Sequence, residues 1–474
     1  AKFARCLLFE PADSQEAYDM VVAGFELSEQ HQVPVIVRIT TRTAHTSTIV
    51  DLGAGERIEA PAIPYVKNAQ RNVAMPAHGR LMRFAVEKRT AALRALTEES
   101  PFNRAEAGTG DLGIVAAGVA YQYVKEIFPD APVFKVGLSF PPPIEKIRAF
   151  AAGVKRLVVI EESDPVLADQ IRAAGIPVME PHMELHMMEL NPARLAALRA
   201  ELLGTPAPET PKPEAGIPVR PPVLCSGCSH RGPFYILGKL KATVCGDIGC
   251  YTLGSAPPLS AMDTCVCMGA AIPVAIGMRK AGLANRRIAA VMGDSTFFHA
   301  GMTGLLDVAY NNIPITVMVF DNRITAMTGH QENPGSGHTL TGETAPAARV
   351  ADIARAFGIQ RVHEVEPYDL ARLEQVFTEC LDSGEPAVVV VRGPCVLHEK
   401  WAGKFINAVD ADQCTACGAC FRLGCPAIVR GEPKDPEGKR FKSRIDPQFC
   451  TGCNLCAQVC RFGAIAPAQG RNAS

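Results

Sequence analysis

Short apolar runs alternate with amphipathic segments over two long stretches of this chain. In the first stretch, the apolar runs have the length of buried strands, and the segments between them have the spacing of amphipathic helices. The predicted strands lie at 112–117, 133–136 and 157–160, and the predicted helices lie at 119–128, 144–151 and 166–174. Such alternation predicts a parallel sheet with helices on both faces, and hence an α/β domain at 106–204.

The second stretch shows the same alternation and predicts a second α/β domain at 223–400. Its predicted strands lie at 288–292, 315–320 and 387–391. Between the two domains, residues 205–222 contain seven prolines and several polar residues. This composition is typical of a semi-rigid linker between domains.

The N-terminal residues carry a helix pattern followed by a strand pattern. Asp13 has the position of an N-cap, with Glu16 three residues later. One apolar stripe follows on the predicted helix, made of Tyr18, Val21, Val22 and Phe25. A buried-strand pattern comes next at 33–37. Because one helix and one strand cannot make a domain, we interpret 1–48 as the end of a domain and 49–105 as a connector.

Composition and charge exclude two classes of protein. The formal net charge is −1, with 20% charged and 6% aromatic residues, which argues against a basic nucleic-acid surface. The apolar runs are far shorter than the roughly 20 residues that cross a bilayer. The chain has 17 cysteines and shows no secretory signal pattern. This combination indicates a reducing cytoplasm and cysteines that bind metal.

Eight of these cysteines lie near the C-terminus in two groups with ferredoxin spacing. The groups are Cys414, Cys417, Cys420 and Cys425, then Cys450, Cys453, Cys456 and Cys460. In a double-cluster ferredoxin, three close thiolates bind one [4Fe-4S] cluster and the fourth comes from the other group. We therefore pair Cys460 with the first three cysteines and Cys425 with Cys450, Cys453 and Cys456. A zinc ribbon or disulfides are the alternatives, but zinc ribbons use pairs of cysteines. Residues 401–474 are thus the predicted ferredoxin domain.

A second group of polar residues follows two predicted strands of the 223–400 region. Gly293, Asp294 and Ser295 come directly after the strand at 288–292, and Asp321 and Asn322 come directly after the strand at 315–320. Parallel strands end at one edge of their sheet, where α/β proteins bind ligands. Carboxylate and amide oxygens suit Mg²⁺, which also takes phosphate oxygens and water. The alternative is an ordinary turn after a strand.

This pair of motifs resembles that of the thiamine diphosphate enzymes, in which Gly-Asp-Gly or Gly-Asp-Ser is followed some 25 to 30 residues later by an asparagine. The resemblance implies that Asp294, Asn322 and the carbonyl of Ile324 hold Mg²⁺, with Gly293 and Ser295 close to the diphosphate. It also implies that a bulky side chain before a glycine supports the bent cofactor, and Met268 before Gly269 is the matching position. Met268 as a plain core residue is the alternative.

Further motifs narrow the resemblance to the 2-oxoacid:ferredoxin oxidoreductases, and among them to the indolepyruvate type. They are the segments 225–231 (CSGCSHR), 246–251 (GDIGCY), 265–270 (CVCMGA), 321–331 (DNRITAMTGHQ) and the ferredoxin tail. The resemblance covers residues 1 to about 465. It implies a transketolase-C-like domain at 106–204 and a thiamine diphosphate domain at 223–400. A ferredoxin domain with two [4Fe-4S] clusters then follows, and 1–48 is the end of a pyrimidine-binding domain.

The resemblance also implies an activity and partners. The expected reaction is oxidative decarboxylation of an aryl 2-oxoacid, such as indolepyruvate, to its acyl-CoA, with electrons passing through the clusters to ferredoxin. The expected partner is a smaller beta subunit with a gamma-type domain, in a hetero-oligomer such as (αβ)₂. The glutamate that activates thiamine belongs to the pyrimidine-binding domain. An electron-relay subunit with a degenerate thiamine site is the alternative, whereas a non-redox decarboxylase would need no ferredoxin tail.

Six further residues have two interpretations each. Cys225, Cys228, Cys250 and Cys395 match the positions at which relatives hold a third [4Fe-4S] cluster beside thiamine, but free cysteines are also common in buried cores. His230 and His330 are candidates for proton handling or for contact with a substrate carboxylate. Either histidine could instead bond only to the backbone.

Overall fold

A computed structural model describes residues 1–53, 64–180, 187, 189–206, 216–217, 221–283, 287–399, 405–435 and 437–468. The chain divides into two compact units, Ala1–Ile217 and Pro218–Ser474. This division falls within the predicted linker at 205–222, most of which lies outside the described residues. Among the described residues, no helix is long and apolar enough to cross a membrane.

The N-terminal part of the first unit forms a small sheet with a strand from further along the chain. Its elements are β1 (Leu7–Phe9), α1 (Ser14–His31), β2 (Val35–Val37), α2 (Thr41–His45), α3 (Ala69–Asn72) and α4 (Pro76–Glu99). Strand β1 pairs in parallel with β2 and antiparallel with Leu138–Phe140. The described part of 1–48 therefore packs into the same unit as the 106–204 region.

Helix α1 is capped as its sequence predicts, but its apolar stripe does not face the core. The Asp13 carboxylate accepts from the Glu16 amide at 2.9 Å, and the Glu16 carboxylate accepts from the Ala12 amide at 3.0 Å. Met20 and Gly24 are the buried residues of the helix. The stripe is 39 to 75% exposed and consists of Tyr18, Val21, Val22 and Phe25. The helix turns its Gly24 side toward the sheet, because the missing side chain lets Val35 pack directly against it.

The rest of the first unit is the α/β sheet that the alternating pattern predicts. Its strands are β3 (Asn103–Glu106), β4 (Leu112–Ala117), β5 (Val133–Val136), β6 (Leu138–Phe140, in the small sheet) and β7 (Arg156–Ile160). The four-stranded sheet has the order β3-β5-β4-β7, and only β3 is antiparallel. The helices are α5 (Ala120–Ile127), α6 (Ile144–Ala152), α7 (Val166–Ala173) and α8 (Pro192–Leu203).

The second unit is built on a six-stranded parallel sheet of order β12-β13-β11-β10-β8-β9. The strands are β8 (Thr243–Gly246), β9 (Thr264–Cys265), β10 (Ile288–Gly293), β11 (Thr316–Asp321), β12 (Arg361–Val365) and β13 (Ala387–Arg392). The helices are α9 (Arg231–Lys239), α10 (Ala271–Lys280), α11 (Asp294–Thr296), α12 (Met302–Tyr310), α13 (Val350–Ala356) and α14 (Leu370–Asp382). A π-helical turn, Phe297–Gly301, joins α11 to α12. The predicted parallel α/β fold is thus confirmed.

The ferredoxin-like tail shares a hydrophobic core with one face of this sheet. Its elements are β14 (Ile406–Val409), β15 (Ile428–Pro433), β16 (Phe441–Ile445), α15 (Leu455–Val459) and β17 (Ile465–Ala468). Strand β14 pairs with β17, and β15 pairs with β16. Leu423 and Leu455 from the tail belong to the same buried cluster as Phe320 from β11 and Phe234 from α9. The opposite face of the sheet packs on α10, α12 and α13.

Candidate active site

The parallel register of β10 and β11 brings two polar motifs to one edge of the sheet. Gly293, the last residue of β10, is paired with Phe320 of β11. Asp294 therefore begins a helix at the same level at which Asp321 and Asn322 leave the neighbouring strand. This edge is the carboxyl end of the sheet, where ligands bind in open α/β folds.

Three buried polar groups converge at this edge. One terminal atom of the Asn322 side-chain amide lies 3.1 Å from Oδ1 of Asp294 and 2.6 Å from the carbonyl oxygen of Ile324, and as the amide nitrogen it donates to both. These distances are close to the roughly 2.9 Å that separates neighbouring ligands in a Mg²⁺ octahedron. Rotation of the amide would turn its oxygen to the same point, so that a cation there would meet three oxygens. The three residues therefore fit a small divalent cation.

The carboxyl group of Asp294 is costly to ionise without such a cation. Burial, together with the nearby charge of Asp321, raises the pKa of Asp294 to about 7. Its second oxygen accepts a 3.0 Å hydrogen bond from the amide nitrogen of Asn333. Asn333 is itself buried, so this contact fixes which oxygen faces Asn322 and Ile324.

A partly open cavity of about 140 Å³ lies beside these three groups. Its wall is mainly apolar and includes His230, Cys250, Tyr251, Met268, Ser295, Thr296, Phe320 and Met327. The Tyr251 hydroxyl donates to the Ile248 carbonyl at 2.7 Å and lies 3.1 Å from the Thr296 hydroxyl. Gly293 has to be a glycine because a Cβ there would lie 2.8 Å from the Tyr251 ring. The cavity can therefore hold an organic ligand whose anionic end reaches a cation at Asp294.

His230 contributes a buried, neutral imidazole to this cavity. Its ring stacks on Phe320 with 5.7 Å between centroids and meets the edge of Tyr251 at 5.9 Å. Burial lowers the pKa of His230 to about 4, so the ring is uncharged at neutral pH. Its Nδ1 is buried without a hydrogen-bond partner among the described residues. A residue of the cavity wall thus carries one buried polar atom whose hydrogen-bonding capacity is unused among the described residues.

Asp247 holds the loop that carries Met268. The carboxylate is fully buried at the end of β8 and accepts hydrogen bonds from the amides of Ile248, Gly269 and Ala271 at 2.9 to 3.1 Å. Gly269 has a φ of +92°, and a Cβ there would lie 2.7 Å from Ala300. This arrangement places the Met268 side chain at the cavity, half exposed.

Four cysteines gather on the Cys250 side of the cavity. Cys225 and Cys250 are each close enough to Cys395 to interact electrostatically with it, and Cys228 interacts with both Cys225 and Cys250. Burial raises the pKa of Cys228 to about 12. A thiol in this environment is ionised only if a cation or a metal cluster binds it. His330 lies on this side as well, with its Nε2 3.8 Å from the Cys395 sulfur.

The tail brings its eight cysteines together in two sets of four. Cys414, Cys417, Cys420 and Cys460 line one cavity. Cys453 and Cys456 interact electrostatically with Cys450 and with Cys425. Two sets of four neighbouring thiols are the arrangement in which a double-cluster ferredoxin binds its two [4Fe-4S] clusters.

Residues 247–391 match the thiamine pyrophosphate enzyme C-terminal TPP binding domain, and residues 443–466 match the 4Fe-4S binding domain. The indolepyruvate oxidoreductase subunit IorA of Archaeoglobus fulgidus is 34% identical over 494 residues, which covers 99% of this chain and 78% of that subunit. The IorA of Pyrococcus abyssi is 37% identical over 517 residues, covering 98% and 78%. The chain belongs to the IorA family.

A solved structure of 2-oxoglutarate:ferredoxin oxidoreductase from Magnetococcus marinus aligns with 38% of this chain and 66% of its own, at 20% identity and a TM-score of 0.33. The IorA-family chain is a thiamine-dependent enzyme of the 2-oxoacid:ferredoxin oxidoreductase type with an iron–sulfur domain. It is one subunit of an oxidoreductase.

The structure of this IorA-family chain brings most of the expected site residues to one cavity. His230, Met268, Gly293, Asp294, Ser295, Asn322 and Ile324 all line it. His330 does not line it and instead stacks on His398, with 5.8 Å between ring centroids. Sequence reasoning assigned no role to Asp247, Tyr251 or Asn333. Asp247 had one usable signal, since Gly246-Asp247 repeats the pattern of Gly293-Asp294.

Arg231 is a further residue that the sequence did not single out. Its side chain is 2% exposed, and the guanidinium donates to the carbonyls of Leu224, Cys225 and Leu423. Leu224 and Cys225 lie in the loop before α9, whereas Leu423 belongs to the tail. Arg231 therefore ties the loop that carries Cys225 and Cys228 to the ferredoxin-like part of this IorA-family chain.

The same loop packs directly on one of the two cysteine sets of the tail. A Cβ on Gly227 would lie 2.1 Å from the Thr451 hydroxyl oxygen, so the two loops are in contact at this point. The Cys425 thiol donates to the Ser226 hydroxyl at 3.9 Å. The set of Cys425, Cys450, Cys453 and Cys456 is thus the neighbour of the cysteines beside the cavity.

Proposed function

We propose that this chain carries out the oxidative decarboxylation of an aryl 2-oxoacid, such as indolepyruvate, and passes the electrons through [4Fe-4S] clusters to ferredoxin. The observation that supports this proposal best is the convergence of the Asp294 carboxylate, the Asn322 side-chain amide and the Ile324 carbonyl at a cavity that Cys250 also borders. The proposed diphosphate and metal site and the set of cysteines would therefore share one wall.

Different residues of the cavity would bind different parts of the cofactor and its metal. Asp294, Asn322 and the Ile324 carbonyl would hold Mg²⁺, and Ser295 and Gly293 lie where the diphosphate would be bound. Bound thiamine diphosphate supplies the carbanion chemistry, and the protein supplies orientation and electrostatics. Met268 would support the bent cofactor. Because the pKa of His230 is low, this residue would act as a neutral hydrogen-bonding group toward cofactor or substrate.

The positions of the three cysteine sets define the order in which electrons would pass through them. Cys225, Cys228, Cys250 and Cys395 would hold a third cluster next to the cavity. The set with Cys425 comes next because its loop packs on Ser226 and Gly227. The set with Cys414, Cys417, Cys420 and Cys460 is last.

The whole reaction consumes the 2-oxoacid, coenzyme A and two oxidised ferredoxins, and yields the acyl-CoA, CO₂, one proton and two reduced ferredoxins. A smaller beta subunit with a gamma-type domain would complete a hetero-oligomer such as (αβ)₂. The activating glutamate would come from a pyrimidine-binding domain. An electron-relay subunit with a degenerate thiamine site would not need a buried carboxylate, a side-chain amide and a backbone carbonyl at one point of the sheet edge, and this arrangement favours the enzyme.

The test uses the anaerobically purified complex. Indolepyruvate, phenylpyruvate and pyruvate are each supplied with coenzyme A and ferredoxin, and acyl-CoA and reduced ferredoxin are measured together. We expect one acyl-CoA for two reduced ferredoxins, with an aryl substrate preferred. Ferredoxin reduction without any thioester, or a complex that binds no thiamine diphosphate, would overturn the proposal in favour of electron relay.

A further inference from the structure

One of the two cysteine sets in the tail reaches the protein surface. Cys417 is exposed, whereas Cys450 and Cys456 of the other set are buried. The Cys414 set shares its cavity with Phe441 and Phe462, and Phe462 is 51% exposed. We therefore expect electrons to leave the tail at the surface beside Cys417 and Phe462.

Basic side chains surround this exit. The Lys434 ammonium and the Arg440 guanidinium both donate to the carbonyl of Thr415, at 3.3 and 3.0 Å. Lys442 lies close enough to Cys414 to interact electrostatically with its sulfur. The Arg430 guanidinium lies over the Phe441 ring, 5.0 Å from its centroid. We name these four residues, Arg430, Lys434, Arg440 and Lys442, the basic rim.

The basic rim stands out against the charge of the whole chain. Residues 430–444 contain six Lys or Arg and three Asp or Glu, a net charge of +3, whereas the chain as a whole has a net charge of −1. In the described part of the chain, no basic-rim residue forms an ion pair with a carboxylate. These charges are therefore free to act on an approaching molecule.

We propose that the basic rim and Phe462 form the docking surface for the electron acceptor, and that this acceptor is a small acidic iron–sulfur protein. A small apolar centre with a charged border suits a short-lived complex, because opposite charges speed the encounter without making it tight. The step moves one electron from a reduced cluster to the oxidised acceptor and transfers no atoms. The identity of the acceptor as a ferredoxin rests on the function proposed above.

The test measures electron transfer without the thiamine reaction. The clusters of the intact complex are reduced with dithionite, the excess is removed, and the protein is mixed rapidly with an oxidised, acidic two-[4Fe-4S] ferredoxin. The variants are Lys434→Glu, Arg440→Glu and the double variant. Lys280→Glu, an exposed lysine at the end of α10, is the matched control.

We expect the double variant to lower the second-order rate constant at least about tenfold at 0.05 M salt. The single variants should show smaller decreases, and Lys280→Glu should show none. At about 1 M salt, where the Debye length is near 3 Å, the difference should disappear. A change in cluster potential alone would persist at high salt, so the salt series separates docking from driving force.

Equal rates in wild type and double variant would overturn the proposal, and so would an equal effect of Lys280→Glu. Iron content has to stay at the wild-type value in every variant. Because the clusters are reduced chemically, a complex that fails to decarboxylate any 2-oxoacid can still support or contradict the docking surface. Failure of the proposed function and failure of the docking surface are thus told apart.

Discussion

Two Gly-Asp pairs end neighbouring strands of the same sheet, and their carboxylates have opposite roles. Asp247 follows β8 and accepts from three backbone amides, so its charge is compensated by the fold itself. Asp294 follows β10, and its carboxylate accepts from the side-chain amides of Asn322 and Asn333. The comparison teaches that the motif alone does not make a ligand site. The site lies where a buried carboxylate is held by side-chain amides, which can rotate, and not by the fixed amides of the backbone.

Asp247 should be the more important of the two for folding. We expect Asp247→Ala to lower the free energy of unfolding by about 2 kcal/mol or more, because it leaves three backbone amides without their acceptor, and the bond from Ala271 is fully buried. Thermal or urea unfolding of the cofactor-free protein measures this loss. Asp307→Ala, an exposed position on α12, is the control and should change stability by less than about 0.5 kcal/mol. An unchanged Asp247→Ala protein would contradict the structural role.

Asp294 should be the more important of the two for binding. We expect Asp294→Ala to reduce Mg²⁺-dependent binding of thiamine diphosphate by at least about a hundredfold, while the cofactor-free protein keeps its stability, since a buried carboxyl is removed. Calorimetric titration measures the affinity, and iron analysis should show unchanged clusters. The binding role assigned to Asp294 would be wrong if the Asp294→Ala protein bound thiamine diphosphate as tightly as wild type. It would also be wrong if the main effect of the substitution were on the free energy of unfolding.

Arg231 extends the comparison to a buried cation. Like Asp247, it bonds to the backbone, here to the carbonyls of Leu224, Cys225 and Leu423, although its Nε has no partner among the described residues. We expect Arg231→Met to cost about 2 to 3 kcal/mol and to make the tail more sensitive to limited proteolysis. Arg231→Lys should restore part of the protection because it keeps a donor. Equal cleavage rates in all three proteins would show that Arg231 does not hold the tail.

The sequence predicted three of the four strands of the first α/β sheet and three of the six strands of the second within one or two residues, because buried parallel strands are nearly continuous apolar runs. It did not predict β3, β8, β9 or β12. It also predicted the pairing of Asp294 with Asn322, which depends only on where two strands end. It did not predict the contact of Asn333 with Asp294, which joins residues 39 positions apart through an irregular loop. The sequence predicted an apolar stripe on α1, and the structure shows that this stripe is exposed. Periodicity shows that a face is apolar but does not show which surface covers it.

Glu161 is a third acidic residue directly after a parallel strand. Its environment shares one feature with Asp247 and another with Asp294. Its oxygens accept from the amides of Leu167 and Ala168 at 2.8 Å each. Burial nevertheless raises the pKa of Glu161 to about 7, and the nearby charge of Glu10 adds to the effect. The two amides therefore compensate the charge only in part, as at Asp294, although both oxygens are hydrogen-bonded, as at Asp247.

The raised pKa of Glu161 predicts that the stability of the protein depends on pH. A carboxyl whose pKa is higher in the folded than in the unfolded protein contributes stability at low pH, and this contribution is lost as the pH rises from about 4.5 through 7. We expect the loss to be about 1 to 3 kcal/mol in wild type. The Glu161→Gln variant cannot ionise there, so the difference between the two unfolding curves should change over this range and stay constant above about pH 8. A difference that is independent of pH would mean that the two amide donors compensate Glu161 fully, which would place it with Asp247.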